Sequence, residues 1–209
     1  MGLKDVVKPA SGERQAQARF GTAKRAAAFC ANQQLDHLNE AMRRFIARQE
    51  MVSIATADAA GRCDCSFRAG EPGFVQVLNS KTLAYPEYRG NGVLASVGNI
   101  LENPHIGMIF LDYCDTTLGL HVNGRARVLE PQELLALPDL PAALMQAARA
   151  TGGRRPEAWV LVDVEEAYIH CSKHVPLMKR LDKRIEWGTD DEAAKGGDFF
   201  GVKATRKPG

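Results

Sequence analysis

Three side chains within a short stretch, Asn91, Ser96 and Asn99, could together grip a phosphate. A helix that starts just after Gly90-x-Gly92 turns unpaired backbone N–H groups and the positive end of its dipole toward an anion. Ser96 and Asn99, three apart, share one face of that helix, and Arg68 or Arg89 would balance the charge. Residues 89–99 also read as a dinucleotide fingerprint, Gly90-x-Gly92-x-x-Ala95, with Asp112 standing 22 residues after Gly90 where a ribose-binding acid would lie. That second reading needs a strand directly before the glycines and further βαβ units after them. Instead Pro86-Glu87-Tyr88-Arg89 intervenes and Pro104 cuts the helix short. A third reading stays open beside both: the glycines only make a turn, and Ser96 faces solvent.

Other reactive residue types carry weaker spacing. His170, Cys171 and His174 form an H-C-x-x-H cluster that suggests a metal or haem. A closed zinc shell needs a third or fourth ligand, and none stands at motif spacing, so we assign no metal and read both histidines as ordinary polar residues. Cys63-x-Cys65 puts two thiols on one strand face, which reads as packing. Trp159 and Trp187 are expected as core and interface anchors, and Asp190-Asp191-Glu192 as a solvated run.

The elements that must position these residues follow from periodicity. A helix is expected from a cap at Thr22 to about Asn32, and a second over 35–48, where Leu35, Leu38, Met42, Phe45 and Ile46 form a stripe. The period then changes to that of strands: 51–55, 63–67, 74–78, and 82–85 ended by Pro86. A short helix over 94–101 stops at Pro104. Strands are expected at 105–113, at 118–129 with Gly124 as a bulge, and at 159–169, with a helical stretch over 131–150 broken by Pro138 and Pro141. Tight turns between short strands favour antiparallel pairing, so a small β-barrel with helices is expected and a doubly wound sheet is not.

Composition excludes several classes. A net charge of +2 leaves no electrostatic footprint for nucleic acid. No run of about 18 apolar residues offers a membrane span, and Met1–Gly12 has no apolar signal-peptide core. Five cysteines, an odd number scattered along the chain, suit reduced thiols in the cytoplasm.

Several ordered motifs resemble those of the pyridoxamine 5′-phosphate oxidase-related flavoproteins. They run from Asp64-Cys-Ser66-Phe-Arg68-Ala-Gly70-Glu-Pro-Gly73 through Leu83-Ala-Tyr85-Pro86-Glu-Tyr88-Arg89-Gly90-Asn91 and Ser96-Val-Gly-Asn99-Ile-Leu-Glu-Asn103-Pro104 to His121-Val-Asn123-Gly124-Arg125-Ala126. The resemblance implies a mainly β fold with flanking helices, a split β-barrel, and a homodimer holding FMN at its interface. The chain is expected to divide into a mobile segment over 1–19, read from its polar composition, a helical arm over 20–48, a barrel over 49–175 that the resemblance makes flavin-binding, and a C-terminal extension over 176–209. The cofactor-binding residues the resemblance implies are Ser66, Arg68, Asn91, Ser96, Asn99, Arg89 and Lys173. The implied function is FMN-dependent oxidation or reduction of a small organic molecule, with a nicotinamide as a candidate donor. A flavin-binding or sensing module without catalysis, and a haem-binding split barrel, are the alternatives. The chain departs from the biosynthetic oxidases at its end, which lacks their Arg- and Pro-rich segment, and at Gly92, where a larger basic residue is expected.

Overall fold

Val52, Ile54 and Thr56 are buried while the residues between them are less so, and the same alternation recurs along 105–111 and 120–127. The computed structural model describes residues 11–206. In chain order the elements are α1 (Ser11–Phe20), α2 (Ala23–Gln33), β1 (Gln34–Leu35), α3 (Glu40–Ile46), β2 (Met51–Ala57), β3 (Cys63–Ala69), β4 (Gln76–Val77) and β5 (Thr82–Tyr88). They continue with α4 (Ala95–Glu102), β6 (His105–Leu111), β7 (Gly119–Leu129), α5 (Pro131–Leu135), α6 (Ala142–Ala148), β8 (Pro156–His170) and α7 (Val202–Thr205).

All strand pairs are antiparallel, in the order β3-β2-β6-β7-β8-β5-β4. The fifteen-residue β8 is the spine of the sheet. One edge pairs along the length of β7, while the other takes β5 at its start and β1, through Gln34 and Leu35, near its end. The inner face of the sheet wraps a common core that includes Ile54, Leu83, Tyr85, Phe110, Val122, Val160 and Val162. The outer face of β5 and β8 carries Ala84, Trp159 and Leu161, and these are covered by Leu134 of α5 and Leu144 of α6. Burial on both faces explains why Trp159–Val162 is an unbroken apolar run rather than an alternating one. The sheet is open between β3 and β4, which gives the split barrel. No helix among the described residues is long and apolar enough to cross a membrane.

Four expectations are revised. The sequence assigns no element before Phe20, yet Ser11–Phe20 is helical; residues 1–10 of the expected mobile segment lie outside the described residues. The helix expected over 35–48 is shorter, because Leu35 pairs with Ala167 of β8 and Asn39 caps α3 by accepting from the Met42 amide at 2.9 Å. Of 74–78 only Gln76 and Val77 pair. Pro86 does not end its strand: it lies opposite Trp159, and β5 runs on to Tyr88 with a bulge. Beyond Leu83–Ala84 that strand has no neighbour on its other side, so it can accommodate a residue without an N–H.

Gly124 is the expected bulge. The register of β7 against β8 shifts between Asn123 and Gly124, and a Cβ on Gly124 would stand 2.1 Å from the carbonyl oxygen of Asp163. Backbone cannot yield as a side chain can, so Gly124→Ala is expected to destabilise the fold by about 1–3 kcal/mol. Gly98 on α4 has open space around it, and Gly98→Ala is expected to stabilise by about 0.5–1 kcal/mol. Thermal unfolding of the two variants checks the opposite signs.

Candidate functional site

Residues directly opposite on neighbouring strands share a face. Asp64, Ser66 and Arg68 of β3 stand opposite Thr56, Ile54 and Val52, and so face inward. Cys63, Cys65 and Phe67 face out and are exposed, with both thiols on one side as their spacing predicts. Helix α4 closes over the inward-facing row. Ser96 in its first turn is 2% exposed, not solvent-facing. Its hydroxyl donates to Asp64 Oδ2 at 3.0 Å, and the Ser66 hydroxyl donates to the same oxygen at 2.7 Å. The two hydroxyl oxygens are 3.1 Å apart. One turn on, Asn99 Nδ2 donates to Thr56 Oγ1 at 3.0 Å. Hydrogen bonds to a carboxylate are roughly twice as strong as neutral ones, so this cluster fixes α4 against β2 and β3.

Arg68 continues the row and meets an acid. Its Nε and Nη2 both lie 2.9 Å from Glu87 Oε2 on β5, and Nη1 donates to the Phe67 carbonyl at 3.1 Å. The two side chains are only 17% and 10% exposed. Burial pushes the Glu87 carboxyl above its ordinary range, and the Arg68 guanidinium opposes that shift. Tyr85, two residues earlier on β5, is fully buried, and its hydroxyl has no hydrogen-bond partner among the described residues. Burial pushes its ionisation well above the ordinary value.

The approach to α4 is left-handed at Gly92 (φ 80°) and again at Leu94 (φ 53°). Asn91 Oδ1 accepts from the Val93 amide at 2.9 Å and so shapes this corner. Leu94 offers no side-chain cap, and among the described residues the amides of Ala95, Ser96 and Val97 have no acceptor. A cavity of about 890 Å³ opens beside Leu94, lined also by Arg89, Gly153, Arg155, Glu157 and Gly188 among others. Arg89 Nη2 also contacts Asp190 Oδ2 at 2.6 Å.

The structure thus brings Ser66 and Ser96 into contact, with Asn99 one turn away and Arg68 next along β3. Asn91 and Arg89 stand at the helix entrance. Lys173 lies apart, exposed in the turn after β8, which is four places from β3 in strand order. The sequence reading singled out neither Asp64, Glu87 nor Asp190 as a partner of these residues. Asp64 was findable, being two residues from Ser66 on a strand; Asp190 is 101 positions from Arg89 and gives no local signal.

The remaining candidates have structural roles. Both oxygens of Asp112 accept from the turn at 114–116, so this carboxylate holds that turn. His170 Nδ1 lies 2.9 Å from Nε2 of His121, whose ring stacks on Tyr168 with centroids 4.6 Å apart. Burial pushes His121 down, and His170 adds to the shift. Among the described residues no group of three His, Cys, Asp or Glu converges on one point. Trp159 is a core anchor, and Trp187 packs edge-on against Tyr88 at 5.2 Å and under the Arg154 guanidinium at 5.7 Å.

Removing Arg68 leaves Glu87 buried without its counter-ion, so Arg68→Ala is expected to destabilise by about 3–5 kcal/mol. The folded state holds the Glu87 proton more tightly than the unfolded state does. Stability is therefore fullest below the ordinary value of 4.5 and falls as pH rises through the raised value. Without Arg68 that fall steepens. Urea unfolding from mildly acidic to mildly basic pH checks this, and Arg68→Ala/Glu87→Gln should lose the pH dependence. A deficit equal at every pH contradicts it.

The family model described as pyridoxamine 5′-phosphate oxidase matches residues 38–171. Among solved structures, a single-site variant of HupZ from Group A Streptococcus is 22% identical, with a TM-score of 0.47 over 64% of this chain and 99% of that one. A putative pyridoxamine 5′-phosphate oxidase from Lactobacillus delbrueckii is 22% identical, with a TM-score of 0.45 over 65% and 98%. HutZ, the heme storage protein of Vibrio cholerae, is 13% identical, with a TM-score of 0.41 over 64% and 93%. No curated protein matches the chain. The family match spans well over half of the sequence, from just before α3 to just past β8, and the chain belongs to the pyridoxamine 5′-phosphate oxidase family.

Proposed function

We propose that the chain binds FMN and uses it to oxidise or reduce a small organic molecule. The observation that carries this reading is the cavity beside the start of α4, which Arg89 and Arg155 line together with Leu94, the residue just before a helix N-terminus whose amides have no acceptor among the described residues. Guanidinium groups and converging amides are the donor set a phosphate ester requires. Glu130 and Glu157 on the same wall would limit how much negative charge the cavity accepts.

The nominated residues then divide by role. Arg89 and the amides from Ala95 meet the phosphate, and Asn91 shapes the corner that leads to them. Ser66, Ser96 and Asn99 act from behind by holding α4 in place, and Arg68 holds β3 against β5 through Glu87. When bound, FMN supplies the two-electron redox chemistry. The chain's task is to place the ring and keep water from it, so no protein nucleophile or base is assigned.

A homodimer belongs to the same reading. Phe67, Val93 and Leu101 are 60%, 71% and 73% exposed around β3 and α4, and neither α1 nor α2 buries a residue. Exposed apolar surface next to a ligand site suits a subunit interface. Across such an interface Lys173 of a second copy could meet the flavin. Four of the five cysteines are exposed thiols, which suits a cytoplasmic setting. A haem-binding split barrel is the second reading: His121 and His170 engage one nitrogen each with the other, which leaves the second nitrogen of each ring available as a ligand.

The test is spectral and thermal. Purified protein should show flavin absorption and no Soret band. FMN at 100 times its dissociation constant should add about 2.7 kcal/mol of stability. Arg89→Ala should weaken FMN binding by about 1.5–3 kcal/mol. A melting temperature that FMN leaves unchanged contradicts the reading. Bound flavin without turnover of reduced nicotinamides or candidate substrates would instead mark a non-enzymatic flavin module.

A further inference from the structure

The wall of this cavity is completed by a segment remote in sequence. Trp187–Asp190 lies across the Gly152–Gly153 turn and the end of β5. Gly153 has room for no side chain, since a Cβ there would stand 2.1 Å from the Trp187 carbonyl oxygen. Gly188 is left-handed (φ 64°), and its own Cβ would stand 2.8 Å from Gly153 Cα and O. The Trp187 ring sits between Tyr88 and Arg154. Asp190 closes the row on Arg89, with Lys195 Nζ at 2.9 Å from its other oxygen. Two interlocked glycines and an aromatic contact hold one end of the segment closely. The other end is held by an ion pair whose side chains are 55% and 61% exposed, and exposed pairs hold weakly.

We propose that Trp187–Asp190 is an autoinhibitory strap: the Asp190 carboxylate occupies the Arg89 guanidinium, and an anionic ligand enters by displacing it. A carboxylate and a phosphate oxygen present the same chemistry to Arg89, so only one is held at a time. The weak, exposed end is the one that must move, and the glycine lock keeps the strap tethered when it does. The ligand class is an organic phosphate. That identity rests on the flavin reading; the strap does not.

Trp187 and the fully buried Trp159 are the chain's two tryptophans, so acrylamide quenching reports on Trp187. Without ligand, Asp190→Asn should speed trypsin cleavage after Lys195 several-fold over the unaltered chain, while Trp187 quenching stays unchanged because the glycine lock holds. Inorganic pyrophosphate, added at constant ionic strength against a chloride control, should produce the same loosening in the unaltered chain and none in Arg89→Ala. FMN should do as pyrophosphate does. Loosening by pyrophosphate but not by FMN keeps the strap and contradicts the flavin reading. Equal cleavage after Lys195 in the unaltered chain and Asp190→Asn, with no response to pyrophosphate, overturns the strap.

Discussion

Asp64 receives the hydroxyls of Ser66 and Ser96 on one oxygen, and Asn99 reaches Thr56 on the neighbouring strand. Helix α4 has only eight residues, too few to persist alone in water. Its place is set by these contacts and by Ile100, which enters the barrel core. The strands that supply the other half of the seat, β2 and β3, are themselves fixed by the alternation of Val52 and Ile54 into that core. A polar cluster at the mouth of an apolar barrel therefore decides where the first-turn amides of α4 point. Because Ser96 is buried, the helix cannot roll without leaving its hydroxyl and the Asp64 carboxylate unpaired in the interior, which is costly.

The two arginines near this seat have different company. Arg68 and Glu87 are both nearly buried, so their pairing belongs to the fold: neither can leave without stranding the other. Arg89 and Asp190 are both more than half exposed, so water can replace either partner. The same ion-pair chemistry thus gives a fixed tie on the inner face of β3 and an exchangeable one at the cavity. Both arginines are phosphate-binding candidates in the sequence, and burial is what separates their roles.

Most of the sheet was legible because strand signals are local. The alternation at 51–57 and 63–69, the unbroken run at 159–162 and the glycine at 124 each state their own structure. So did the limits of α4, between a glycine corner and Pro104. What stayed hidden depends on distant partners. The apolar stripe at Leu35 and Leu38 resembles a helix, but β8 offers Leu35 a strand edge and Leu38 is buried elsewhere in the core. Pro86 reads as a strand end unless it is known that β4 pairs with only two residues of β5. At the site, the family resemblance nominates Ser66 and Ser96 for one cofactor, but not their contact with each other. Asp64 stands two residues from Ser66 and could be found, but the acids that answer the arginines, Glu87 and above all Asp190, come from positions whose spacing announces nothing.

The proposed function turns on an anion meeting Arg89 and the first amides of α4. The most direct measurement is a crystal structure of the chain grown with FMN. The phosphate should lie within hydrogen-bond reach of the amides at Ala95–Val97 and of the Arg89 guanidinium, with Asp190 moved away and the Asp64–Ser96 contact kept. FMN bound elsewhere, or a phosphate seated in this cavity while Asp190 still holds Arg89, would contradict it.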